Sequence, residues 1–576
     1  MPTHDIPVIE GERPLERPRG ARRPRRRRLS PPAAVDAGGL GLSGLAAAVV
    51  AAVALVVFAI QAPALVRALF LNPDIASMPH LATLLEGAPG DRVVTLSNAP
   101  EYESLTILRA TAGWGIHRLL WQALPFAMAG AGLLVLARSV WTTWGRWAAA
   151  TAVATLAVTS EGLRMTLFGI NAHAFSLFSV IVLGAVLVAF ARRPPRSAVT
   201  WVLSGLALVA LVAPGTPDLL LLLTGVAPFA LAGVATWLLS GDATHRRLAA
   251  FTVIVSGAAT VLGRLFAAHM RADGIAPTPT FGVQFATTDR LQHNFSLLLD
   301  GLAYLGGAHT FGEKVTVSSL LGVVAGGAVV AGFVAGLWFT FTRLHAYAGD
   351  RRLARRERPE RIAFIVFWGA ALGLSVASYL ASDLPQGPGT GRYLVPAFYA
   401  VAVLLPALAV GSRRARAYVA AGVLAFGVVV LGTHVVEGPE EFGGGPTAAE
   451  VSAVHAFVQR NGASVGYAGY QDAEVLTWGT RAALQVFPVY AGFGCPMESC
   501  RFPIMTVSSW YRERPGTRSF VVEHPPASFT QLDMLPRGTG KPVAAGQFGR
   551  LTVYVFDHDV ARDLEAAPAP AQPAAP

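Results

Sequence analysis

Charged residues are scarce in this chain: Asp, Glu, Lys and Arg make up 14% of its 576 residues, where a soluble domain carries roughly a quarter. With 53% hydrophobic residues beside them, that scarcity excludes a soluble globular protein of ordinary make-up and leaves a polytopic membrane protein. Familiar signatures are missing too. There is no Walker A sequence, no Gly-rich dinucleotide loop in the right unit, no His-Glu-x-x-His and no nucleophile elbow, which excludes the chemistries those motifs carry. No inverted internal repeat of the kind that points to alternating access is evident. Cysteine is limited to Cys495 and Cys500.

What is present is a regular alternation of apolar segments and connectors. Basic blocks at Arg22 to Arg28, Arg138 with Arg146, Arg192 to Arg196, His245 to Arg247, Arg343 to Arg361 and Arg413 to Arg416 fall in every second connector, as the positive-inside rule requires. The net charge of +11 resides there and in the N-terminal tail, without aromatic interleaving or a nucleic-acid motif, so no nucleic-acid partner is expected. The fold class expected is mainly α: a polytopic transmembrane helical bundle of about eleven spans, N-terminus inside and C-terminus outside, with a small extracytoplasmic α/β domain.

The expected spans lie near residues 42–60, 119–137, 147–160, 174–191, 199–213, 219–239, 249–268, 317–341, 362–381, 393–410 and 417–435. Several are short or interrupted, notably around Pro214 and Pro217. The first is read as a retained anchor rather than a cleaved signal peptide, because the leader is long and basic and the apolar stretch is full length. Residues 1–40 form a basic cytoplasmic tail expected to be disordered and drawn to anionic lipid. Residues 41–435 form the transmembrane part, with a long first outer loop at 61–118. Residues 436–565 form the extracytoplasmic domain, helical over Ala448 to Gln459 and strand-like over Ser519 to Val522 and Leu551 to Phe556. The Ala/Pro-rich end, 566–576, is expected to be disordered. Cys495 and Cys500 fall in the exported domain, where a small disulfide loop is favoured over half a zinc site.

Long outer loops usually have a task. In the first, Pro79 to Leu85 and Tyr102 to Ala112 read as interfacial helices, and Asp74, Glu101 and Glu103 are its candidate acids. A carboxylate partly desolvated at an apolar surface becomes a better base, which suits work on an acceptor hydroxyl; an Asx turn or cap at Asp74 and solvated acids elsewhere are the competing readings. Arg392, beside Tyr393 at the outer mouth of the tenth span, is placed to meet a phosphate or to snorkel to headgroups. Glu161, Arg164, Asn171 and His173 cluster between the third and fourth spans, and Arg264 lies inside an apolar segment, which makes each a functional suspect or a structural partner. His293, with Asp289, Arg290 and Asn294, sits in a later outer loop; Asn294-Phe295-Ser296 matches a glycosylation sequon by letter. No metal site has convincing ligand spacing and no cofactor is expected, although acidic residues could take a divalent ion.

The stretch Asp74-Ile-Ala-Ser-Met-Pro-His-Leu-Ala-Thr-Leu-Leu-Glu-Gly followed by Ala99-Pro100-Glu101-Tyr102, the segment Gly391-Arg392-Tyr393-Leu394-Val395-Pro396, and the C-terminal runs Gly466 to Ala473 and Ser509-Trp510-Tyr511 together resemble the GT-C superfamily of integral membrane glycosyltransferases. The resemblance spans most of the chain. It implies an inverting enzyme that takes a sugar from a polyprenyl-phosphate donor and delivers it to an extracytoplasmic glycan, lipid or protein, with Asp74 as base and Arg392 on the phosphate. It also implies residence in the plasma (inner) membrane among membrane lipids. The short cytoplasmic loops leave no room for a nucleotide-sugar domain, which fits a lipid-carried donor. A transporter or flippase of lipid-linked envelope precursors, lining a path with the same ionisable residues, is the alternative.

Overall fold

The computed structural model describes residues 41–69, 76–78, 80–81, 93–96, 102, 104–107, 117–158, 160, 163–164, 167, 173–277, 284–307, 315–385, 388–437, 446–490, 500–502, 505–524 and 539–565. The expected tails 1–40 and 566–576 lie outside these residues, as do Asp74, Glu101, Glu103 and Cys495.

The chain is mainly helical. Its longer helices are α1 (Gly41–Leu69), α2 (His117–Trp144), α3 (Arg146–Ala157), α4 (His173–Arg192), α5 (Ala198–Val212), α6 (Leu219–Ser240, with a π turn at Leu222–Val226), α7 (Thr244–Ala272), α8 (Thr288–Leu305), α9 (Val317–Gly349), α10 (Pro359–Ala381), α11 (Val395–Ala409), α12 (Arg413–Glu437), α13 (Ala448–Arg460) and α14 (Tyr470–Gly479). Among the described residues, ten helices are long and apolar enough to cross a membrane. They occupy the expected spans with one exception. The third expected span is α3, twelve residues long, which reaches about 18 Å at 1.5 Å per residue, short of a hydrocarbon core of about 30 Å. Its Ala- and Thr-rich faces pack against α1, α2, α11 and α12, since small side chains let backbones approach closely. Gly145 turns the chain sharply into it with φ of 97°, a left-handed conformation that a side chain would oppose.

Apolar residues lie on both sides of the bundle wall. Phe364, Phe367, Trp368 and Leu404 are buried at its centre, while Leu203, Leu206, Ile254, Leu265, Trp338 and Phe341 are exposed on its outside, an arrangement that suits a lipid solvent. Helix α8 lies in the connector between the spans expected at 249–268 and 317–341. It is amphipathic, burying Asn294, Leu297, Leu298, Leu302 and Leu305 against its neighbours. Asn294 donates to Leu380 O at 2.8 Å and Ser382 O at 2.7 Å, so the sequon asparagine is a buried tie between α8 and the end of α10.

The strands are β1 (Val94–Leu96), β2 (Ile275–Pro277), β3 (Val465–Ala468), β4 (Gln485–Tyr490), β5 (Cys500–Arg501), β6 (Thr506–Val507), β7 (Ser519–Glu523), β8 (Ala544–Phe548) and β9 (Leu551–Phe556). Six form one C-terminal sheet in the order β5-β4-β3-β7-β9-β8, with β4, β3 and β7 parallel and the others antiparallel. Side chains alternate across a pleat. Phe520, Val522, Val553 and Val555 therefore meet Val451, Val454 and Val458 of α13 on one face. Val465, Tyr467, Phe487, Val489 and Val521 point the other way and join the core that continues into the bundle. A second sheet, β2-β1-β6, ties three remote segments together: β1 runs parallel to β2 and antiparallel to β6.

Candidate functional site

The two ends of the bundle are built differently. At one end sit the basic connectors. Arg361 donates to Thr143 O at 3.3 Å and pairs with Glu357 at 3.2 Å beneath the Trp144 ring, and Arg416 lies over Trp147. His245 Nε2 faces Ala191 O at 3.2 Å. At the other end the long connectors meet. Ser160 donates to Leu305 O at 2.7 Å, β1 pairs with β2 and β6, and residues 388–394 lie against α8.

That second end gathers a cluster of ionisable groups. Asp218 caps the N-terminus of α6, accepting from Leu220 N at 2.8 Å and from the Ser176 hydroxyl at 3.0 Å. His173, the first residue of α4, lies one helical turn before Ser176 and so shares its face, with Nδ1 4.0 Å from Asp218 Oδ2. That is beyond hydrogen-bonding distance, and among the described residues this buried nitrogen has no hydrogen-bond partner. The Tyr393 ring meets the imidazole edge-on at 5.3 Å and 90°. Arg392 lies over the Tyr393 ring at 5.4 Å, a cation–π contact, and within electrostatic reach of His173.

The placement of Arg392 and Tyr393 has a local cause. They sit in a 3-10 segment, Pro388–Leu394, pressed onto α8 where two glycines touch. A Cβ at Gly391 would come within 2.8 Å of Gly301 O. Tyr379 of α10 donates to Leu297 O at 3.2 Å and shares a 3.1 Å hydrogen bond with the Thr390 hydroxyl, and Arg290 of α8 donates to Pro385 O.

The cluster is recessed. Thr216, in the connector before Asp218, donates to Ala259 O at 3.1 Å, and Gly263 touches the same connector. Helix α7 continues to Ala272, about 14 Å farther at its ordinary rise. Alongside His173, Ala174 borders a shallow apolar dimple, also lined by Met128, Leu167, Leu177, Phe178 and Tyr399. Burial lifts the Asp218 carboxyl to about 6, against the opposing pull of its bonds from Leu220 N, Ser176 and Leu221 N. Such a group can trade a proton near neutrality, and an adjacent guanidinium can hold an anion.

No family model, curated protein or solved structure matches this chain. The arrangement must be read from its own residues. Of the residues singled out in the sequence, Arg392, Tyr393 and His173 come together. Arg164 is buried in the connector between α3 and α4, its backbone N donating to Ser160 O at 2.9 Å. Arg264 and His293 do not join the cluster: each lies on the exposed face of its helix, Arg264 on α7 and His293 on α8. Cys500 opens β5, while its expected partner Cys495 is outside the described residues, as are Glu161 and Asn171. Among the described residues no three His, Cys, Asp or Glu side chains gather as a metal site would require. Asp218 was missed, although a signal existed: it is the only charged residue between Arg196 and Asp242, and an ionisable group in such a stretch is a suspect by default.

Proposed function

We propose that this protein is a membrane glycosyltransferase of GT-C type, inverting, which moves a sugar from a polyprenyl-phosphate donor to an extracytoplasmic glycan, lipid or protein. In this reading the chain makes eleven passages, with α3 as a short one, in a plasma (inner) membrane. Its basic end faces the cytoplasm and its C-terminal sheet faces outward, in keeping with the positive-inside rule. The observation that carries the reading is the recessed meeting of Arg392, Tyr393, His173 and Asp218 at the end of the bundle away from the basic connectors.

A polyprenyl-phosphate leaving group gains negative charge as its bond to the sugar breaks, and a fixed cation stabilises that charge most where water is excluded. Arg392 takes this role, with its guanidinium steadied on Tyr393. An acid of the first outer loop, Asp74 in the first place with Glu101 and Glu103 farther along it, removes the proton from the acceptor hydroxyl. His173 and Asp218 hold the polar floor beneath the phosphate.

The test is transfer of radiolabelled sugar from a panel of polyprenyl-phosphate donors in membranes carrying wild type, Asp74→Asn or Arg392→Ala. Transfer by wild type that is abolished by Asp74→Asn in normally accumulated protein supports the enzyme and its base. Wild-type membranes inert with every donor would sink it.

A further inference from the structure

The first outer segment is fixed to the C-terminal domain at two points. Residues 76–78, 80 and 81, which follow Asp74 in the chain, are helical, and Ala76, Ser77, Met78, His80 and Leu81 are all buried. Within it, His80 Nδ1 meets the Glu474 carboxylate of α14, and both side chains are fully buried. The imidazole stacks on Trp510 at 4.9 Å and 10°, and Trp510 stacks on Phe487 of β4 at 5.1 Å and 23°. Two residues before Glu474 on the same helix, Asp472 bonds His524 at 2.8 Å just beyond β7, so α14 is held to the sheet as well as by its own packing. The second point is β1. Val93 and Ser508 exchange bonds at 2.9 and 3.2 Å, and the Thr95 and Thr506 hydroxyls meet at 2.9 Å.

A buried, hydrogen-bonded imidazole–carboxylate pair contributes orientation more than net stability, because desolvation offsets much of its attraction. Its geometric effect here is to hold a segment of the first loop against a rigid sheet. We infer that Glu474 and Trp510 are positioning residues: through His80 they set the place of the acid-bearing first loop, and the C-terminal α/β domain is the frame against which that loop is aligned. This inference rests on the glycosyltransferase reading for its catalytic consequence, and on the contacts alone for the clamp itself.

The test uses the full chain in membranes with Glu474→Leu, Trp510→Ala, and the reciprocal exchange of His80→Glu with Glu474→His. Two quantities are read: the rate of tryptic cleavage after Arg92, the only Lys or Arg between Leu81 and Ile107, and kcat and KM for sugar transfer. The single variants should be cleaved roughly ten-fold faster and lose about 10²-fold in kcat with donor KM within about two-fold, as expected for a misplaced catalytic group beside an intact donor site. The exchanged pair should recover both. Single variants that accumulate normally and are cleaved at the wild-type rate overturn the clamp. Where the single variants fail to accumulate, the exchanged pair decides: recovery of accumulation and slow cleavage upholds it, and failure overturns it. A wild type that transfers nothing while the variants are cleaved faster removes the glycosyltransferase reading and leaves the clamp standing.

Discussion

The two ends of the helical bundle handle charge in opposite ways. At the basic end, several charges find a partner close in the chain, Arg361 in Glu357 one turn away, Asp242 in Thr244 N and Asp350 in Arg352 N, while Arg361 also reaches back to Thr143 O. At the other end, the partners are remote. His173 faces Asp218 and Tyr393, and His80 meets Glu474. Partners close in the chain meet without tertiary packing, whereas remote ones bring groups of different elements together, His173 of α4 beside the Asp218 cap of α6 and His80 against Glu474 of α14. The second kind costs desolvation.

The sharpest way to break this contrast is to remove one cation from each end. Arg392→Ala should lower transfer by about 10²–10³-fold, the loss typical of a missing charge stabiliser, with little change in thermal midpoint. Arg361→Ala should do the reverse. It strands Glu357 and the Thr143 carbonyl and uncovers Trp144, so unfolding in detergent should cost about 3–5 kcal/mol less, with transfer by the surviving folded protein unchanged. Equal effects of the two on transfer would erase the distinction between the ends.

A smaller effect tests the electrostatics of the recess. Asp218 has a folded pKa of about 6, above its ordinary value of 3.8, so burial favours its protonated form. Its contribution to stability is full below about 3.8 and is lost as pH rises through about 6, amounting to about 3 kcal/mol. The thermal midpoint of wild type should therefore fall between pH 4 and pH 7 more steeply than that of Asp218→Asn, which keeps an acceptor for Leu220 N. Parallel profiles would show the carboxyl to be ordinary. The smallest effect concerns shape. Gly391→Ala drives a methyl to 2.8 Å from Gly301 O, which should displace the Arg392 segment, cost about 1–3 kcal/mol and raise the KM for donor more than it lowers kcat.

Much of the bundle was legible beforehand because hydropathy acts residue by residue. The span expected at 174–191 is α4, His173–Arg192, and that at 219–239 is α6, Leu219–Ser240. The strand-like runs at Ser519 and Leu551 are β7 and β9. Helix α8 escaped notice because its buried stripe is interleaved with Asp289, Arg290, Gln292 and His293, too polar for a span. Of the site, Arg392, Tyr393 and His173 were singled out as isolated polar residues near apolar segments. Their being neighbours was not visible, nor was Asp218 as the partner, because a span boundary does not state which helix it will face.

Sequence alone determined which segments leave water and at which connectors positive charge collects, since the free energy of transfer into lipid is set by each segment's own side chains. Tertiary structure decided which buried polar groups share a recess. His80 and Glu474 stand 394 positions apart, and nothing in the composition around either names the other. A buried ionisable group needs a partner, and only the packing of helices against the C-terminal sheet supplies one.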